Sequence, residues 1–225
     1  MTRAGTVVET EAGNASPAIE VFAYGEYELP LDWTKLRRVL DVGAHVGSFA
    51  LWTYERAPGA RIVSVEPEPR NFSDLAANIE RNGLRDRIEA VNAALGTEPG
   101  NVTLHVPMNR ESSSTLATGG DSVQAVVISL PELLDRIDGP LDLLKLDAEG
   151  AEWPALEALD AESWGKIPRL VLECHAGDGR TVEEMVELLR RQGFAATVRS
   201  RQPSGVPWCD EVALIWAERS PAELS

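Results

Sequence analysis

Short apolar runs alternate along the chain with longer stretches whose apolar positions recur at helical spacing. Arg38-Val-Leu-Asp41, Arg61-Ile-Val-Ser-Val-Glu66, Ile88 to Ala93, Leu141-Asp-Leu-Leu-Lys-Leu-Asp147 and Leu170-Val-Leu-Glu-Cys174 have strand composition. Between them, Phe49 to Tyr54 reads as a helix ended by Pro58-Gly59. Phe72, Leu75, Ala76 and Ile79 make one helical face that stops near Asn82-Gly83. Leu130 to Ile137 is helical in pattern, and Leu156 and Leu159 can face a core from the next helix. Val182, Met185, Val186 and Leu189 repeat the stripe before Gly193. Strands alternating with helices predict a parallel sheet covered on both faces.

Two regions break the cadence. Val102 to Val106 and Val123 to Ile128 have strand composition but flank a Ser, Thr and Gly-rich stretch, Asn109 to Gly120, that is either a lid or an exposed loop. Phe194 to Arg199 and Glu211 to Trp216 close the chain as two strands, joined by Ser200 to Asp210 with Pro203, Gly205 and Pro207. A link this short suits an antiparallel pair, because parallel neighbours need a crossover. Residues 1 to 18 show no periodicity and read as a frayed leader. The partial alternation of Ile19 to Tyr24 suits a short strand or a flap.

Charge narrows the partners. The 225 residues carry 21 Lys and Arg against 36 Asp and Glu, a formal charge of −15. Such a surface repels phosphate, so neither nucleic acid nor an anionic membrane is an expected partner. No apolar run approaches the roughly 20 residues that span a bilayer, and Met1-Thr-Arg-Ala-Gly-Thr has no apolar segment behind its basic residue. Cys174 and Cys209 are the only cysteines, and free thiols in a reducing cytoplasm are the simplest reading.

Candidate chemistry gathers where strands end. Asp41-Val-Gly43-Ala-His45-Val-Gly47 follows the first confident strand, and glycines at a strand-to-helix turn permit positive φ and close approach of a ligand. Taken alone, this motif also fits a tight turn with no ligand. Glu66 ends the following strand, where a carboxylate can accept both hydroxyls of a ribose. The dinucleotide fingerprint is absent, since no glycine stands two positions after Gly43. Asp41 would repel a pyrophosphate yet could hold a cationic amino group, which favours S-adenosylmethionine over a nicotinamide cofactor.

Four blocks, Asp41-Val-Gly-Ala-His-Val-Gly-Ser-Phe49, Val65-Glu-Pro-Glu-Pro-Arg-Asn-Phe72, Leu144-Lys-Leu-Asp-Ala-Glu-Gly-Ala-Glu152 and Val171-Leu-Glu-Cys-His175, resemble the FkbM family of S-adenosylmethionine-dependent methyltransferases. The resemblance spans about residues 36 to 199. It implies an α/β, Rossmann-like class I methyltransferase fold. The seven-stranded, mostly parallel sheet would run 3-2-1-4-5-7-6, with helices on both faces and the last-numbered strand antiparallel. It further implies that Asp41, Gly43, Ala44, His45 and Gly47 surround the methionine part of the cofactor and that Glu66 binds its ribose. Pro67 would shape that edge, and Asn92 and Ala93 would lie beside the adenine. His45 stands where the family often has Asn. On this reading residues 1–35 are a leader over the active site and residues 36–219 the catalytic domain.

Asp147 ends the fourth core strand, where it could bind cofactor, orient an acceptor hydroxyl or take its proton; a helix-capping role is the alternative. Glu149 stands near the first turn of the next helix, and Glu152 reads as an exposed helix residue. His175 ends the fifth strand and is the better-matched base, because a neutral imidazole accepts a proton near pH 7. Glu173, two residues earlier on the same strand face, could orient the ring. Asp147, His175 and Glu149 are acceptable ligands for a divalent cation, but no diagnostic spacing supports one and none is expected. Cys174 reads as buried filling and His105 as structural. Trp52 and Trp164 read as packing residues, while Tyr24, Tyr27 and Trp208 are candidates for covering an acceptor, and Ser112 to Thr115 for hydrogen bonding. The expected activity is O-methylation of a small-molecule hydroxyl by a monomer or homodimer. N-methylation of an amide or amine and a non-catalytic nucleoside-binding domain are the alternatives.

Overall fold

The computed structural model describes residues 5–11, 14–106, 121–176, 179–199 and 212–219. The stretch expected to be a lid or loop, with Ser112 to Thr115, and the final connection, with Trp208 and Cys209, lie outside the described residues.

Ten strands and seven α-helices are described. The strands are β1 (Arg38–Val42), β2 (Arg61–Val65), β3 (Ile88–Val91), β4 (Ala94–Gly96), β5 (Gly100–Val106), β6 (Asp121–Ser129), β7 (Leu143–Leu146), β8 (Arg169–His175), β9 (Phe194–Arg199) and β10 (Val212–Arg219). Seven of them form one sheet in the order β3-β2-β1-β7-β8-β10-β9. Counted along that sheet alone, this is 3-2-1-4-5-7-6, the order expected from the sequence. β1 lies parallel to β2 and β7, and β7 parallel to β8, whereas β10 runs antiparallel to β8 and β9. The order reverses between β1 and β7, so connections leave to opposite sides and open a crevice at the carboxyl ends of these strands.

The seven helices are α1 (Ser16–Ala23), α2 (Ser48–Arg56), α3 (Pro69–Arg81), α4 (Leu130–Asp135), α5 (Glu152–Glu157), α6 (Ala161–Gly165) and α7 (Val182–Arg191). Local chemistry sets their starts. Glu68 caps α3 by accepting from the Asn71 amide, with Pro69 in its first turn, while Ser129–Glu132 and Thr181–Glu184 form reciprocal capping boxes on α4 and α7. No described helix is long and apolar enough to cross a membrane.

Adjacent residues of the central strands point to opposite faces, and both faces are dry. Leu40, Leu144, Leu172 and Ile215 join one hydrophobic cluster, whereas Val39, Leu143, Val171 and Leu214 join the other. Trp52 and Trp164 are buried packing residues; Trp52 meets Trp33 edge-on.

Residues 102–106 and 123–128 are strands, as their composition predicts, and lie outside the large sheet. They form a separate three-stranded sheet, β4-β6-β5, because β5 and β6 pair with each other and β6 continues onto β4. Ile19 to Tyr24 is neither strand nor flap: Ile19 to Ala23 belong to α1, which Pro17 helps start and whose Val21 is buried. The preceding segment is also tied down rather than frayed, for the Val7 and Glu9 amides donate to the side chains of Asn82 and Asn78 on and just after α3.

Candidate active site

A cavity of about 420 Å³ opens at the carboxyl ends of β1, β2, β7 and β8. Its floor begins with the loop after β1. The Gly43 and Ala44 amides both donate to the Val65 carbonyl at 2.9 Å, turning the chain over the end of β2. Gly43 has φ +78°, and a Cβ there would lie 1.7 Å from the Asp147 carbonyl oxygen. The neighbouring backbone therefore demands this glycine, whatever the ligand. Gly43, Ala44 and His45 line the cavity; Gly47 does not, serving instead as the left-handed N-cap of α2.

Glu66 is buried in the cavity wall. Its carboxylate accepts from the His45 amide through one oxygen and from the Glu68 amide through the other, both at 2.9 Å. Burial pushes its pKa up to about 7 despite these two bonds. Each oxygen retains acceptor capacity for a hydroxyl. Pro67 and Ala93 line the cavity beside it. Asn92 does not; its amide donates to the Glu66 and Pro67 carbonyls and braces that edge from behind.

Asp41 also lies off the cavity wall. The cation beside it is internal: the Lys145 ammonium sits 3.6 Å from Asp41 and 3.3 Å from Asp147, and donates to the Gly43 carbonyl at 2.6 Å. The expectation that Asp41 holds a ligand's amino group is corrected accordingly. Burial alone would lower the Lys145 pKa, but the charges of Asp147, Asp41 and Glu173 overcome it and hold the pKa above the ordinary lysine value. Lys145 thus keeps its charge and clamps β1 to β7 where the two strands open. The sequence reading passed over it, although a lysine between leucines on an apolar strand was the available signal.

His175 and Asp147 both reach the cavity, together with Glu149 and Glu173. His175 Nδ1 lies 3.1 Å from Glu152 Oε1, while Nε2 lies 3.3 Å from Glu149 Oε2 and 3.8 Å from Glu173 Oε1. Burial would lower the imidazole pKa, yet the bonds to Glu149 and Glu152 and the charges of Glu152 and Asp147 push it up to about 12. The ring is an imidazolium at neutral pH, so the neutral base expected from the sequence is corrected: in this setting His175 is a cationic donor. Glu152 is corrected too. Far from exposed, it is fully buried and also accepts from the Ala148 and Gly150 amides, stapling the turn that carries Asp147 and Glu149. Glu149 holds a positive φ of 51° in that turn. Cys174 faces the core, where burial pushes its thiol up to about 12.

The N-terminal segment supplies another wall. Ser16, Pro17, Glu20 and Val21 from α1, with Glu26 and Tyr27 after it, line the cavity. Tyr27 is buried there, whereas Tyr24 is 79% exposed and stands outside. Asn14 Nδ2 donates to Asn71 Oδ1 at 3.0 Å, and Asn14 Oδ1 lies 2.9 Å from His45 Nε2, so this segment is latched to the loop below. His105 is on the small sheet, 3.4 Å from the Ser122 hydroxyl.

A crevice at the strand-order reversal, a glycine turn after β1 and an acid ending β2 define a methyltransferase of the Rossmann-like class I fold. Residues 41–195 match the model of the methyltransferase FkbM domain, and the chain belongs to the FkbM family. It is 29% identical over 207 residues to "Methyltransferase 1" of Beauveria bassiana (strain ARSEF 2860), covering 81% of each chain. It is 28% identical over 189 residues to the 31-O-demethyl-FK506 methyltransferase FkbM of Streptomyces tacrolimicus, covering 69% of this chain and 72% of that one. Among solved structures, methyltransferase FkbM from Methylobacillus flagellatus KT shares the fold with TM-score 0.57 at 16% identity, over 93% of this chain and 56% of that one.

Proposed function

We propose that the chain is an S-adenosylmethionine-dependent methyltransferase that O-methylates a hydroxyl of a small molecule. The observation that carries this reading is Glu66: a buried carboxylate, aimed into a cavity at the switch point, with an acceptor lone pair left on each oxygen for a ribose diol. The surroundings fit the rest of such a cofactor, with Ala93, Ala94 and Leu95 offering an apolar wall on the far side of Glu66 and the loop from Gly43 to His45 beneath. When bound, the cofactor supplies an already activated methyl group, so positioning and exclusion of water dominate what the protein must contribute. One relative is named for a 31-O-demethyl compound, which supports oxygen as the acceptor atom.

The chain's own residues divide the remaining work. Lys145 holds the ends of β1 and β7 at a fixed separation, and its charge orients the Asp147 carboxylate. His175, as a cation, donates toward the cavity and orients Glu149. Asp147 and Glu149 are then the carboxylates placed to receive a hydroxyl proton as charge leaves the acceptor oxygen. The acid-rich wall, with Glu20, Glu26, Glu149 and Glu173, favours a second reading in which the acceptor is an amine and the product N-methylated.

Titration with S-adenosylhomocysteine and with NAD separates the cofactor classes: saturable binding of the first alone is expected. Hydroxylated and amino metabolites are then incubated with protein and S-adenosylmethionine. A gain in product mass of one CH2, located on oxygen by fragmentation, supports the proposal; location on nitrogen replaces it with the second reading. Failure to bind S-adenosylhomocysteine overturns both.

A further inference from the structure

We propose that Asp147, Glu149 and His175 form a binding site for one divalent cation of the Mn2+ or Zn2+ type. Each offers a ligand atom at the cavity wall, and these atoms lie within 4.8 Å of one another. Ligand bonds near ~2.1 Å place neighbouring donors ~3 Å apart and opposite donors ~4.2 Å apart. The 3.3 Å between His175 Nε2 and Glu149 Oε2 is close to the first spacing, and side-chain rotation on binding would have to close the remainder. Two carboxylates with one imidazole suit Mn2+ or Zn2+ better than Mg2+, which favours an all-oxygen shell.

The arrangement around the cluster is what distinguishes it from a surface group of acids. Glu152 is fully buried, and one carboxylate fixes all three donors: its Oε1 holds His175 Nδ1 and the Ala148 amide, and its Oε2 the Gly150 amide. With Nδ1 engaged, the ring turns Nε2 to the cavity, and the pinned turn presents Asp147 and Glu149 beside it; the cation would take the place of the Nε2 proton, which leaves to solvent, so that the neutral imidazole is the ligand. A carboxylate behind a ligating histidine is the usual outer support of a metal site. A cation here would polarise an acceptor hydroxyl as a Lewis acid. That consequence rests on the transfer reading above, whereas the binding itself does not.

The test uses the full chain, stripped with a chelator and returned to about 0.15 M monovalent salt to screen its negative surface. Mn2+ is titrated by electron paramagnetic resonance, and S-adenosylhomocysteine binding is measured on the same samples. The expected result is one saturable Mn2+ site, lost in Glu149→Gln and in His175→Gln, and kept in the surface control Glu162→Gln. In Glu152→Gln the site should weaken by about 10- to 100-fold. Competition by Zn2+ but not by equal Mg2+ supports the ligand set. The proposal is overturned if no saturable site is found, or if the site survives both Glu149→Gln and His175→Gln. Methyl transfer that persists after chelation, without a Mn2+ site, overturns the cation and leaves the transfer reading standing. A Mn2+ site without cofactor binding supports the cation and removes the transfer reading.

Discussion

Single positions show how far residue type alone can mislead. A glycine after β1 invites a ligand argument, yet Gly43 is required by the carbonyl of Asp147, and Asp41 is matched by Lys145 rather than by anything entering the cavity. His175 has the ordinary chemistry of a base only when its neighbours are unknown. Three carboxylates, Asp147 and Glu149 from the turn after β7 and Glu152 from α5, favour its cationic form, and no local pattern announces that convergence. Glu66 is the residue whose placement and chemistry agree most simply, and its raised pKa yields a signed prediction. Ribose hydroxyls donate to the ionised carboxylate, so the cofactor binds the deprotonated form more tightly. Affinity for S-adenosylhomocysteine should be level above pH about 7 and fall as the pH drops below it, approaching ~tenfold per pH unit. Glu66→Gln should bind more weakly by ~1–3 kcal/mol and lose this pH slope. Calorimetric titration across the range decides it, and equal slopes in the two proteins would remove Glu66 from the ribose.

At the scale of elements, helices and strands with a strong apolar period were legible: α3, α7 and the five parallel strands of the large sheet follow directly from the spacing of their side chains. The pairing of the small sheet and the helical state of α1 were not, because short segments with partial alternation are decided by what they pack against. The N-terminal segment is the clearest case. Asn78 is fully buried on α3; its Oδ1 accepts from the Glu9 amide, and its Nδ2 donates to the Glu9 and Val46 carbonyls, all at 2.9 Å. One side chain therefore joins the leading segment to the loop between β1 and α2. Asn78→Ala should cost about 2–4 kcal/mol, since these three bonds and the one accepted from Arg81 vanish and buried backbone groups lose partners. Hydrogen exchange should show lost protection at Glu9 with little change in β8. Unchanged protection at Glu9 would mean the segment is held by other contacts.

For the whole molecule, the large sheet separates two cores, and this makes a prediction about neighbouring residues. Leu143 and Leu144 are both fully buried, on opposite faces of β7 and in different clusters. Leu143→Ala and Leu144→Ala should each cost about 2–5 kcal/mol, as cavities form in separate close-packed layers. Urea unfolding measures both. A cost below about 1 kcal/mol for either variant would place that face against solvent or a loose layer, contrary to a sheet buried on two sides.

The sequence by itself determined the α/β class, the order of the large sheet through its short last connection and family blocks, and the strand ends at which chemistry collects. Those features are written in local periodicity, in chain length between strands and in motif spacing. Tertiary structure alone decided which of the candidate residues face the cavity and in what charge state. It placed Glu152 beneath His175, Lys145 between two aspartates, and the leading segment across Asn78 and His45. The physical reason is that burial, hydrogen-bond pairing and electrostatic shift depend on atoms distant in sequence that meet only when the sheet and its covering layers close.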